Sequence, residues 1–123
     1  MNLQKDGFVK GRIKSFKYAF KGMWLLITTE HSIMVQCFIG LTVMLLGWWL
    51  EISSTEWMLQ ILATGLVLVT ESLNTAIEKI CDFIHPDHHK KIGFIKDISA
   101  GAVSFAAVSA LIIGFIIYLP KLL

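Results

Sequence analysis

The sequence predicts an all-α membrane protein, with an amphipathic surface helix followed by three membrane-spanning helices. Composition is the first observation behind this: 55% of the 123 residues are apolar and 16% are charged, against about a quarter charged in a soluble domain. The second is the presence of long uncharged runs, and the third is the uneven placement of the few basic residues. With 11 Lys and Arg against 9 Asp and Glu, the net charge is only +2, which excludes a basic nucleic-acid-binding domain. The length suits one unit spanning 1–123.

The surface helix comes first. Val9, Ile13, Phe16, Phe20, Met23 and Ile27 recur at alternating steps of four and three, and Lys10, Lys14, Lys17 and Lys21 repeat those steps one position over. This spacing predicts a helix over about 8–28 with an apolar face and a basic flank, suited to an anionic leaflet. Gly22 marks a candidate bend towards the membrane. No cleavage-site pattern follows the first apolar run, so a removable signal peptide is not expected.

The spans follow. Ser32 to Leu50 holds no charged residue, and at about 1.5 Å per residue its length matches a hydrocarbon core of about 30 Å. Trp57 to Thr70 is also uncharged, but the pattern is then interrupted by Glu71, Ser72, Asn74 and Thr75 before resuming at Ala76 and Ile77. This second span, about 57–80, therefore has a polar end. Asp82 to Lys91, with Pro86 inside, predicts a polar turn. The last span, about 98–119, is ended by Pro120 and Lys121. Trp48, Trp49 and Trp57 bracket the first connection, as in an interfacial aromatic belt. Cys37 and Cys81 belong to no C-x-x-C pair and are expected to be small buried apolar residues.

Six basic residues precede the first span (Lys5, Lys10, Arg12, Lys14, Lys17, Lys21), none lies in the first connection, and four surround the second (Lys79, Lys90, Lys91, Lys96). The positive-inside rule then puts the N-terminus and the second connection in the cytoplasm and the C-terminus outside.

The chemistry gathers in one cluster. Glu71, Asn74, Glu78 and Asp82 stand at i, i+3, i+7 and i+11, which at about 100° per residue confines them to a sector of roughly 80° on one helix face. Ionisable groups at a membrane boundary cost about 2.5–3.5 kcal/mol to insert on translocon scales, so a functional reading is the default. Aligned carboxylates repel unless a hard cation shares them, and Mg²⁺ characteristically takes one or two carboxylates together with substrate phosphates. Lys96, Asp97 and Glu30 are expected at the same level, which adds a point charge for phosphate oxygens. Phosphoryl transfer is the chemistry this set suits. No P-loop or protein-kinase motif is present. His85, His88 and His89 with Asp87 have no usual zinc-ligand spacing, leaving a solvated loop or a nucleotide contact.

The run ESLNTAIEKICD (Glu71 to Asp82), the following loop with His88 and His89, and KDISAGAV (Lys96 to Val103) closely resemble the prokaryotic diacylglycerol kinase and undecaprenol kinase family. YAFKG (Tyr18 to Gly22) and Glu30 extend the resemblance towards the N-terminus. It implies a multi-pass lipid kinase of a bacterial cytoplasmic membrane, assembled as a homotrimer with shared active sites, that moves the γ-phosphate of ATP to a lipid hydroxyl. Diacylglycerol is the first acceptor it suggests and undecaprenol the alternative, towards which the SAGAV segment leans. By motif position, Glu71 would be the general base, a role that suits a poorly solvated carboxylate, and Asn74 would orient the reacting groups. Glu30 and Glu78 would hold Mg²⁺ with the ATP phosphates. Tyr18, Asp87, His88, His89, Lys96 and Asp97 would contact the nucleotide, while Lys21, Glu71 and Ala100 would meet the lipid. The chain departs from the family pattern at Thr29 and Met34, and Gly11 stands where a basic residue is usual, with Arg12 one place along. Two readings of other classes remain: a small proton-coupled transporter using Glu71, and a non-catalytic membrane scaffold.

Overall fold

The computed structural model describes residues 6–123; Lys5, the first of the basic residues counted for orientation, lies outside the described residues. The described chain is all-helical, in the order α1 (Phe8–Thr29), α2 (His31–Trp49), α3 (Ser54–Ile84) and α4 (Lys90–Leu122).

α1 opens after Gly7, and the carboxylate of Asp6 meets Lys14 at 2.8 Å and Lys10 at 3.8 Å. An acid just ahead of the first turn also suits the positive end of the helix dipole. The Asp6 hydrogen bond raises the Lys14 ammonium above its ordinary pKa. The helix continues unbroken through Gly22, so the expected bend is not there. It lies at Glu30, whose backbone leaves the helical region (φ −106°, ψ 114°). Glu30 closes α1 by donating its N–H to Leu26 and opens α2 by accepting from the Met34 N–H, each at 3.1 Å. A residue that retains both hydrogen bonds can turn the chain without the freedom of glycine.

α2, α3 and α4 are each long and apolar enough to cross a membrane. α3 and α4 contain 31 and 33 residues, so at about 1.5 Å per residue both exceed a hydrocarbon core of about 30 Å and extend polar ends beyond it. The turn between them is accordingly shorter than the sequence suggests, covering His85–His89. Pro120 does not end α4, which runs on to Leu122. Its missing N–H costs one bond in the final turn only, and the Leu123 N–H closes that turn on Leu119 at 3.0 Å.

α3 and α4 run antiparallel with their register fixed by three links: Asp82–Lys96 beside the turn, Gln60–Tyr118 further along, and Glu56–Lys121 at the far end. From Glu56 to Asp82 these span roughly 39 Å at 1.5 Å per residue. The small core sits at the far end, where Ile52, Ile117 and Tyr118 are buried and Val43, Leu46, Leu50, Trp57 and Ile113 pack against them. There the Tyr118 hydroxyl donates to Gln60 Oε1 and to the Val43 carbonyl, while Gln60 Nε2 reaches Met44 Sδ. Ser53 starts α3 through a capping box with Glu56, its hydroxyl accepting from the Glu56 N–H at 3.2 Å. Most other apolar side chains of the spans, such as Phe38, Leu45, Phe105 and Ile116, point outward, as a lipid-facing surface requires. Cys81 is buried; Cys37 is half-buried.

Candidate active site

The polar end of α3 collects most of the expected residues. Glu71 is half-buried and Glu78 exposed, with Asn74 buried on the same face, between them along the chain. The Asn74 amide donates from Nδ2 to Glu78 Oε1 at 3.3 Å, which orients that carboxylate. Asn74 Oδ1 has no partner among the described residues. An amide with one end committed and the other buried and unspent is unfavourable for folding alone, and is the arrangement expected where a ligand completes the bonding. The Ser99 hydroxyl on α4 is likewise buried without a partner.

Two contacts bring other elements to this end. Lys96 Nζ, on the first turns of α4, meets Asp82 Oδ1 at 2.5 Å. Lys79 Nζ meets Glu30 Oε1 at 3.0 Å, which draws the α1–α2 bend to the level of Glu78. The sequence places Asp82 on the face of Glu71, Asn74 and Glu78 and names Glu30 and Lys96, but it signals neither contact, and Lys79 reads as one more basic residue on the positive side. Asp97 is exposed near Lys96, and Ala100 is exposed on the next turn.

The loop residues have local tasks. His89 is the N-cap of α4, its Nδ1 accepting from the Lys91 N–H at 3.1 Å. His85 Nδ1 lies 2.7 Å from the Asp87 carbonyl, and the His85 and His89 rings stand edge to face at 4.9 Å. Asp87 and His88 are exposed. Tyr18 and Lys21 are exposed on α1, and among the described residues no hydrogen bond or ion pair joins them to α3 or α4.

Among the described residues no group of three or more His, Cys, Asp and Glu side chains could hold a metal unaided. The donors at the polar end are nevertheless hard oxygens: Glu30, Glu78 and the unspent Asn74 Oδ1. An ammonium already lies against one of them. This set fits a cation that draws its remaining ligands from phosphate and water, as Mg²⁺ does; it does not fit a closed structural metal site. An apolar groove of about 490 Å³ between α2, α3 and α4 is lined by residues such as Gly40, Ala63, Val67, Ala107 and Gly114. Its walls hold no carboxylate, lysine or histidine, unlike the polar end.

The family model described as prokaryotic diacylglycerol kinase matches residues 17–118. Over 109 residues the chain is 40% identical to an undecaprenol kinase of Bacillus subtilis, covering 89% of each chain. It is 33% identical over 110 residues to a diacylglycerol kinase of Synechocystis, covering 89% of this chain and 63% of that one. With a diacylglycerol kinase of Escherichia coli K12 it shares 30% identity over 100 residues, covering 81% and 82%.

Proposed function

The chain belongs to the prokaryotic diacylglycerol kinase family, and on that premise we propose that it transfers the γ-phosphate of ATP to the hydroxyl of a membrane lipid alcohol. The observation that carries this reading is the polar end of α3, where Asn74 holds Glu78 and Lys96 and Glu30 are drawn to the same level. Glu71, half-buried one turn deeper than Asn74, takes the proton of the lipid hydroxyl. The freed oxygen attacks the γ-phosphorus, the bond to the ADP oxygen breaks, and Glu71 later gives its proton to water. Asn74 and Glu78 fix the geometry, while Lys96 and Asp97 steady the nucleotide, with Tyr18, Asp87, His88 and His89 as outer nucleotide contacts. Glu30 and Glu78 would hold Mg²⁺, which when bound neutralises phosphate charge. Phosphoryl transfer depends mainly on such positioning and charge balance.

Lys21 and Ala100 border the lipid, at the depth where a headgroup hydroxyl meets the surface helix. The basic residues before α2 and around the α3–α4 turn support a cytoplasmic N-terminus in a bacterial cytoplasmic membrane. Three narrow spans enclose little volume, which supports assembly as a homotrimer with sites shared between chains. Of the two acceptors, undecaprenol is favoured over diacylglycerol because the relative at 40% identity is an undecaprenol kinase. Diacylglycerol is the second reading, supported by relatives of that name at 33% and 30%. The test is a side-by-side assay of purified protein with ATP, Mg²⁺ and each lipid. Turnover of undecaprenol above diacylglycerol is expected, with Glu71→Gln inactive but still assembled. Phosphorylation of neither lipid by folded protein would overturn the reading.

A further inference from the structure

Glu30 has two roles in this fold. It is the one non-helical residue between α1 and α2, with its backbone closing one helix and opening the next. Its side chain, only 22% exposed, also carries a charge that the described structure matches with a single ammonium, Lys79 Nζ at 3.0 Å. Lys79 adjoins Glu78, so the ammonium stands on the same stretch of α3 as the carboxylate held by Asn74. Its own side chain is 67% exposed, leaving it free to swing into solvent when its partner is taken.

We propose that Lys79 is a positioning residue for Glu30: it holds the carboxylate and the α1–α2 bend against α3 in the cation-free chain, and releases them when a divalent cation binds. The inference rests on the reading of Glu30 as a cation ligand. A cation arriving at Glu30 must replace the ammonium, so Lys79 competes with it and sets the concentration at which the site fills. It also gives that site a defined empty state, because the bend remains docked on α3 in place of leaving two carboxylates to repel each other. Arginine at this position would preserve the competition. A neutral side chain of similar length would abolish it.

Mn²⁺ alone serves as the probe, with binding read from the loss of its free electron-paramagnetic-resonance signal on titration into full-length protein in neutral-lipid nanodiscs. Lys79→Met should tighten Mn²⁺ binding by about two- to fivefold, the range of an exposed ion pair, and Lys79→Arg should restore the wild-type value. Lys90→Met removes a positive charge at the same end of the α3–α4 hairpin that has no ion-pair partner among the described residues, and should leave binding unchanged. Glu30→Gln should weaken binding by at least about fivefold. Unchanged or weaker binding in Lys79→Met, with Glu30→Gln still impaired, overturns the proposal alone. Equal tightening in Lys90→Met overturns it as well, since that would be a general field effect. Unchanged binding in Glu30→Gln removes Glu30 from the cation site, and the proposal falls with it.

Discussion

Asp82 Oδ1 and Lys96 Nζ stand 2.5 Å apart, joining α3 to α4 across the His85–His89 turn. The two side chains are 60% and 36% exposed, so solvent screens the pair and it adds little to the stability of the fold. Its consequence is directional: a flexible lysine is aimed at the level of Glu78. We predict that Asp82→Asn raises KM for ATP about three- to tenfold, with unfolding unchanged within about 1 kcal/mol. Lys96→Met should be more damaging still, since it removes the proposed phosphate contact itself. A wild-type KM in Asp82→Asn would deny the aspartate any part in nucleotide binding.

Tyr118 and Gln60 form the polar knot of the opposite end. Gln60 is 3% exposed and Tyr118 8%, and the hydroxyl donates to both Gln60 Oε1 and the Val43 carbonyl. Side-chain hydrogen bonds inside membranes contribute about 0.6 kcal/mol on average, and loss of a partner adds the cost of a buried acceptor left unmet. Tyr118→Phe should therefore lower stability by about 1–2 kcal/mol in detergent unfolding, while kcat remains at the wild-type value because the polar end is untouched. Gln60→Leu in the same chain should recover part of the loss. A double variant as unstable as the sum of the two singles would mean that the residues are not coupled.

The same knot explains one glycine. A Cβ at Gly47 would lie 2.9 Å from the Tyr118 hydroxyl, 3.0 Å from Ile52 Cδ1 and 3.2 Å from Gln60 Nε2, whereas one at Gly22 would meet nothing within 4 Å. Gly47→Ala is predicted to destabilise by about 1–3 kcal/mol. Gly22→Ala, in an uninterrupted helix, should be neutral or stabilising by up to about 1 kcal/mol. Loss of the α1 surface helix on Gly22→Ala, seen by hydrogen exchange, would restore Gly22 as the bend.

Which of these features the sequence disclosed follows from their physical origin. The sector of Glu71, Asn74, Glu78 and Asp82 depends only on helical periodicity, so it is visible in the spacing of four residues. The spans are visible because charges are costly in lipid. Lys79–Glu30 depends on how the α1–α2 bend docks on α3, which no single-helix period encodes. Gln60 was within reach: Gln60–Tyr118 and Asp82–Lys96 lie symmetrically about His89, as the antiparallel register of a hairpin requires, and an uncharged polar residue within a span seeks a partner. Pro120 and Gly22 misled for a common reason. Residue type suggests a break, but the backbone hydrogen bonds on either side determine whether one occurs.

Glu51 carries the one positive φ among the described non-glycine residues, at 52°, in the tight turn from α2 into α3. The left-handed region costs a residue with a Cβ about 1–2 kcal/mol relative to glycine. Glu51→Gly should thus stabilise the protein by up to about 1 kcal/mol, part of the gain being offset by a more flexible unfolded chain. A loss of stability would show that the glutamate side chain makes a compensating contact.

Asn74 separates folding from chemistry most sharply. It is 8% exposed, its Nδ2 meets Glu78 at 3.3 Å, and its Oδ1 is buried with no partner. A side chain retained for stability would spend both ends; this one leaves an acceptor unmet, a penalty of about 1–3 kcal/mol. Leucine has the same branching and number of side-chain heavy atoms and carries no polar atom, and the half-open surroundings of this end of α3 can take its larger methyl groups, so Asn74→Leu should unfold no more readily than wild type. The same change frees Glu78 from the Asn74 amide and removes an oxygen from the proposed reacting end, so turnover should fall by at least about tenfold, a barrier higher by roughly 1.4 kcal/mol. Stability and turnover should therefore move apart, as expected where a protein keeps a costly group for function. A variant that unfolds more readily yet phosphorylates lipid at the wild-type rate would make Asn74 a packing residue and leave Glu78 to be positioned by other means.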